Sequence, residues 1–254
     1  DKKYLVDCGL FQGLKALRLR NWGDFPVDPA KVDAVILTHA HIDHSGYIPR
    51  LVKKGFKGRV YCTSGTRALC EILLPDAGYL QVEEAAYANK KGFSKHSPAL
   101  PLFDVADAKK SLEHFFHVPY HSSVDLGDGL SFSFNNAGHI LGASSVILND
   151  GKSQVAFSGD VGRINDAIMF DPEPLPSNID YLVVESTYGD RQHETQDSLT
   201  DLEQIINRTY ARGGVVMIPA FAVGRTQSLL HLLAELKKQN RIPDMPMYLN
   251  SPMA

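Results

Sequence analysis

Four residues able to bind a metal fall within six positions of the run Thr38-His39-Ala-His41-Ile-Asp43-His44, directly after the apolar stretch Val32–Leu37. Each imidazole and carboxylate placed at a strand end needs its own partner, so so dense a cluster argues for metal binding rather than packing. Nitrogen and carboxylate donors suit Zn²⁺ best, with Mn²⁺ or Fe²⁺ also compatible. Alternate residues of an extended loop point in different directions, which predicts two adjacent ions rather than one. Two further residues follow predicted strands: His139 in Asn136-Ala-Gly-His139 and Asp160 in Ser158-Gly-Asp160. Read singly, His139 is as easily a turn residue as a ligand and Asp160 after Ser-Gly is more readily a turn carboxylate; together with the 39–44 cluster they complete a ligand set. Asp7, ending Tyr4-Leu-Val-Asp7, is either a strand-end cap or the carboxylate that orients a ligand imidazole.

Other polar positions carry weaker signals. Arg225 opens an apolar helical pattern, where backbone N–H groups and a guanidinium favour a phosphate, although pairing with a nearby carboxylate would explain it equally. Ser251, in Ser-Pro-Met, is a second candidate for substrate contact or an ordinary turn serine. The Lys15–Trp22 segment, with Arg18, Arg20 and Trp22, could meet a nucleic-acid strand by charge and stacking, the plainer reading being a loop that covers the core. His114 and His117, and likewise His96, His121, His193 and His231, read as surface or turn residues.

These side chains need a frame. Short Val- and Ile-rich runs at Val32–Leu37, Gly58–Cys62, Leu130–Asn135, Ser144–Leu148, Gln154–Ser158, Tyr181–Glu185 and Val215–Pro219 predict strands, and Lys3–Asp7 reads as another. Helical spacing predicts Tyr47–Lys54, 64–74, 81–91, 104–116, 197–212 and Thr226–Gln239. The strands between 130 and 158, separated by turns such as Asn149-Asp150-Gly151, suggest antiparallel hairpins in a layered sandwich. Beyond about residue 190 the alternation becomes that of parallel α/β structure, with the polar Tyr188–Gln196 segment as the boundary. Residue 1 is not Met and the chain stops shortly after a predicted strand, so a piece of a longer protein is expected.

Composition sets the limits. The 254 residues are 44% hydrophobic and 22% charged, with 26 Lys+Arg against 29 Asp+Glu and a net charge of −3. That excludes disordered and fibrous classes, and the weak charge neither supports nor excludes a nucleic-acid substrate. No apolar run approaches the roughly 18 residues of a membrane span, and the N-terminus does not read as a signal peptide. A soluble cytoplasmic protein with no membrane contact is expected. Three cysteines without CxxC spacing fit reduced core thiols rather than a disulfide framework.

Asp7, the HxHxDH run at 39–44, His139 and Asp160 resemble, in order, the first four motifs of the metallo-β-lactamase fold. Leu182-Val-Val-Glu185-Ser-Thr-Tyr-Gly189, then Ile218-Pro-Ala-Phe-Ala-Val-Gly-Arg225-Thr-Gln227, then Ser251-Pro-Met-Ala, are similar to the β-CASP branch of RNA-processing nucleases. The resemblance implies an αββα sandwich over 1–190 and the beginning of an inserted β-CASP α/β domain over 191–254. It implies a first zinc on His39, His41 and His139, a second on Asp43 and His44, and Asp160 bridging them, with Asp43 and Glu185 in the catalytic set. The implied activity is hydrolysis of single-stranded RNA by hydroxide activated between two metals, with a homodimer allowed. A DNA nuclease, a small-molecule thioester or lactam hydrolase, and a non-catalytic RNA-processing subunit are the alternatives. The remaining ligand and the histidine that protonates the leaving group are expected beyond Ala254, so the chain alone should hold one zinc tightly.

Overall fold

The computed structural model describes residues 2–94, 96–192 and 197–251, which leaves His193 and the Pro252–Ala254 end of the Ser251 motif outside the described residues. Two sheets face each other. The first has strands β1 (Tyr4–Val6), β2 (Ala34–Ile36), β3 (Arg59–Cys62) and β4 (Phe115–His117), in that spatial order and all parallel. Strand β2 is buried on both faces, and the pleat sorts its neighbourhood. Val35, Leu37, Val60 and Cys62 join one apolar cluster with Leu51, Leu74 and Phe103, whereas Ile36 and Tyr61 join another with Phe132, Phe134 and Val146 of the second sheet.

The first cluster is covered by helices α2 (Ile42–Ser45), α3 (Ile48–Lys53), α4 (Ser64–Lys91) and α5 (Val105–Leu112), which follow a short α1 (Lys15–Arg18). The second sheet runs β5 (Val124–Gly127), β6 (Leu130–Asn136), β7 (Ser144–Asn149), β8 (Gln154–Phe157) and β9 (Tyr181–Val183). Its first three junctions are antiparallel hairpins, as the turn residues predict, and β9 joins β8 in parallel. Helices α6 (Ser198–Ala211) and α7 (Arg225–Lys238) share a third cluster around Ile206, Leu236 and Ile242.

Several elements differ from the sequence expectation. The helices predicted over 64–74 and 81–91 are one helix with Pro75 inside it. Pro75 forfeits one backbone hydrogen bond, but packing bridges the break: Leu73 and Leu74 are buried before it and Gly78 lies against the Asp104 backbone after it. The helix predicted over 104–116 ends at Leu112, and Phe115–His117 is a strand instead, because pairing Phe115 with Val60 buries the aromatic ring. Val215–Pro219 is not in a strand: Val215 and Met217 are exposed, with no sheet partner among the described residues. A strand exists only through the ladder that pairs it.

Topology brings the polar segments to one edge. Strands β1 and β2 are parallel, so Asp7 and the 39–44 loop leave the first sheet at the same end. Both β6 and β8 run antiparallel to β7, and β9 runs with β8, so the residues after β6, β8 and β9 also share an end. Those residues are His139, Asp160 and Glu185.

Candidate metal centre

Helix α2 begins immediately after His41, which is why an HxHxDH run can serve two positions. His39 and His41 leave the strand in extended backbone, whereas Asp43 and His44 lie on the first helical turn. Backbone bonds from Cys8 N–H to His44 O (2.7 Å) and from Leu10 N–H to Ile42 O (3.0 Å) pin that turn to the chain leaving β1.

Three imidazoles and one carboxylate converge. His39 Nε2 and His139 Nε2 lie 3.1 Å and 3.2 Å from His41 Nδ1. Asp160 Oδ2 lies 3.7 Å from His39 Nε2 and 3.5 Å from His139 Nε2. One atom from each residue falls within 4.8 Å of all the others. Tetrahedral zinc with bonds of 2.0–2.1 Å separates its ligands by about 3.3–3.4 Å, so the donor set fits a divalent first-row metal in both chemistry and spacing. The outward nitrogens support this assignment. Thr38 Oγ1 donates to Asp7 Oδ2 (2.8 Å), so at 3.0 Å it accepts from His39 Nδ1 and leaves His39 Nε2 as a lone pair facing inward. The His41 ring is hydrogen-bonded to the Val223 backbone, just before α7. Burial first, then neighbouring imidazoles, hold His39 well below the ordinary histidine range, and burial also lowers His41 and His139. All three are therefore neutral and ligand-ready near pH 7.

The other face of Asp160 addresses a second position. Its Oδ1 lies 3.3 Å from His44 Nε2, and Asp43 Oδ2 lies 3.9 Å from the same nitrogen. Asp43 is half exposed and stands outside the convergent four. Burial alone would lower His44, but hydrogen bonds to Asp160 and Asp7 outweigh it and raise the imidazolium to about 10. The hydrogen bond with His44 in turn holds Asp160 below the usual carboxylate range. When the Nε2 proton leaves, Nδ1–H remains donated to Asp7 and Nε2 offers a lone pair. Binding at the second position should therefore release about one proton, and its affinity should rise about tenfold per pH unit between pH 6 and 9. Calorimetry in buffers of different ionisation enthalpy measures the released proton; pH-independent affinity there would contradict the arrangement.

Asp7 organises both groups of imidazoles from outside the convergent four. Its Oδ1 accepts from Thr38 N–H at 2.7 Å, and Oδ2 takes Thr38 Oγ1 and, at 2.6 Å, His44 Nδ1. Holding these three partners places Asp7 at φ +63, a conformation uncommon outside glycine. Asp7→Ala should weaken metal binding about 10- to 100-fold, the usual loss when an outer carboxylate is removed. Competition against a chromogenic chelator measures it, and a change below about threefold would place Asp7 outside the centre.

Glu185 is a clamp as well as an acid near the centre. Its N–H donates to Ser158 Oγ (3.0 Å) and its Oε1 accepts from Val161 N–H (2.9 Å), so it grips the β8 loop on both sides of Asp160. Thr63 and Thr66 both donate to Gly142 O, at 2.6 Å and 2.8 Å, tying the His139 loop to the start of α4. Arg225 is exposed at the start of α7, two residues after Val223, and forms no ion pair among the described residues. Ser251 is half-buried. Sequence reading missed Thr38, whose only signal was adjacency to His39, and the Val223 backbone, which had none. The three cysteines are free and buried, burial pushes the Cys8 and Cys62 thiols up to about 12, and none of the three belongs to the convergent four.

Residues 1–212 match the family model described as Metallo-beta-lactamase superfamily. The chain is 37% identical over its whole length to Ribonuclease TTHA0252 of Thermus thermophilus, covering 54% of that protein. It is 35% identical, over 98% of its length, to Transcription termination factor FttA of Methanosarcina mazei, covering 38% of it. It is 33% identical, again over its whole length, to Cleavage and polyadenylation specificity factor subunit 3-I of Arabidopsis thaliana, covering 35%. The chain thus spans about half the length, or less, of these relatives. It belongs to the metallo-beta-lactamase superfamily.

Proposed function

We propose that the protein is a zinc-dependent ribonuclease that hydrolyses phosphodiester bonds of single-stranded RNA, with Mn²⁺ or Fe²⁺ able to replace zinc. The observation that carries this reading is Asp160, whose two oxygens address separate groups of imidazoles, Oδ2 toward His39 and His139 and Oδ1 toward His44. His39, His41 and His139 would hold the first ion, Asp43 and His44 the second, with Asp160 shared. Bound there, divalent cations supply Lewis acidity and lower the pKa of a water, the chemistry that phosphodiester hydrolysis needs. Asp7 and Thr38 fix the imidazole tautomers, and Glu185 holds the Asp160 loop in register. Arg225, at the positive end of α7 and close in sequence to the Val223 contact with His41, would grip a phosphate of the scissile strand. Ser251 would add a polar contact to it.

Residues 1–190 are read as the metallo-β-lactamase domain and 191–254 as the start of the β-CASP domain. The names of the relatives, a ribonuclease and a cleavage and polyadenylation factor subunit, support RNA as the substrate class. The test is to incubate the full-length protein with end-labelled single-stranded RNA, before and after chelation and zinc add-back. Chelator-sensitive cleavage restored by zinc is expected, and RNA left intact in every arm would defeat the reading.

A further inference from the structure

The sequence of the segment between β1 and β2 admits two readings, a core cover or a nucleic-acid contact, and its exposed side chains favour the second. A cover buries its large apolar side chains, yet Phe11, Leu14, Leu19 and Trp22 are 47%, 75%, 51% and 46% exposed. Between Phe11 and Trp22 the chain carries Lys15, Arg18 and Arg20 and no acidic residue. All three cations are exposed, and none forms an ion pair among the described residues. Exposed aromatic rings cost solvation, and unpaired cations beside them concentrate positive potential.

The patch is held in shape. Asn21 is buried, and its carboxamide closes the loop on Phe11, Oδ1 accepting from Phe11 N–H and Nδ2 donating to Phe11 O, both at 2.9 Å. Phe11 and Trp22 are therefore rooted at one clamp, and the Arg20 guanidinium stands 5.7 Å from the Phe11 ring centroid. The patch also starts beside the metal centre. Leu10 is hydrogen-bonded to Ile42, between His41 and Asp43, and Phe11 is the next residue, about 3.8 Å further along the backbone.

We propose that Phe11–Trp22 is a stacking and phosphate-contact platform that receives single-stranded RNA at the edge of the metal centre. Rings with an accessible face stack on unpaired bases whatever their sequence, while Lys15, Arg18 and Arg20 meet the phosphates; a duplex keeps its bases inside and offers the rings nothing. The preset loop spares the strand the ordering cost that a flexible one would impose. This proposal rests on the nuclease reading but is tested apart from it. Trp22 is the single tryptophan of these residues. In chelator, where no cleavage occurs, oligouridylate is titrated into the full-length protein, and the emission of a Trp22→Phe variant is subtracted to isolate the Trp22 signal. Saturable quenching is expected with oligouridylate and none with duplex RNA. Arg18→Glu with Arg20→Glu should weaken binding at least tenfold and leave the metal content unchanged, on the order of one stacked base together with lost phosphate contacts. Quenching without metal-dependent cleavage would defeat the nuclease reading and leave the platform standing. Cleavage with Trp22 emission unmoved by oligouridylate would overturn the platform, as it would if the patch served a protein partner instead. Should the double variant misfold, wild-type quenching alone still decides.

Discussion

Asp160→Asn should lower metal-dependent RNA cleavage by the full-length protein at least about a thousandfold while leaving the fold intact. The substitution keeps the shape of the side chain and removes the charge that both halves of the centre share. In the native protein that charge stands 3.7 Å and 3.5 Å from the inward nitrogens of His39 and His139, and 3.3 Å from His44. An amide has one weaker donor oxygen in place of two equivalent ones, so the second position loses its link to the first. Several kcal/mol of charge stabilisation disappear with it, and each factor of ten in rate corresponds to about 1.4 kcal/mol. His44 also loses the hydrogen bond that most raises its pKa. The variant should therefore hold fewer metal ions per chain by elemental analysis and show an unchanged circular dichroism spectrum. Activity within tenfold of wild type would mean that Asp160 does not bridge the centre.

A glycine far less conspicuous than the histidines should give the largest structural effect. An alanine Cβ at Gly9 would sit 1.5 Å from the carbonyl oxygen of Asp43 and 2.6 Å from His44 N. Both atoms are backbone, so no side chain can rotate away. The Cys8 and Leu10 amides hold the chain against the 42–44 turn, and relief requires breaking those bonds and displacing the ligands on it. Gly9→Ala should cost about 3 kcal/mol or more, the upper range for forced overpacking. For a chain of this size that is a fall of about 6–12 °C in Tm. Gly13 provides the contrast, because its added Cβ meets nothing within 4 Å and only its φ of +75 opposes alanine. Gly13→Ala should therefore lose about 1 kcal/mol. Equal Tm shifts in the two variants would contradict the close approach at Gly9.

What could be read in the sequence and what could not follow a physical division. The 39–44 run was legible because its ligands are crowded along the chain, where a run of imidazoles has few structural uses. Strands with two-residue periodicity and helices with capped apolar faces, such as Ser198–Ala211 and Arg225–Lys238, were legible for the same reason: their signal is local. Phe115–His117 was misread as helix because the force that makes it a strand comes from Val60, far away in sequence. The single long helix through Pro75 was missed because its continuity depends on packing against the Asp104 turn.

The site divides along the same line. Residue types and order determined which side chains have metal chemistry. They did not determine that Asp7 holds His44 directly and His39 only through Thr38, or that the backbone before α7 reaches His41. Those contacts arise because parallel pairing sets Asp7 and the 39–44 loop at one sheet end, while two successive antiparallel reversals return His139 and Asp160 to the same edge. Local composition fixes a side chain's chemistry. Its partners are fixed by strand direction and register, which are properties of pairs of segments and so belong to the tertiary structure alone.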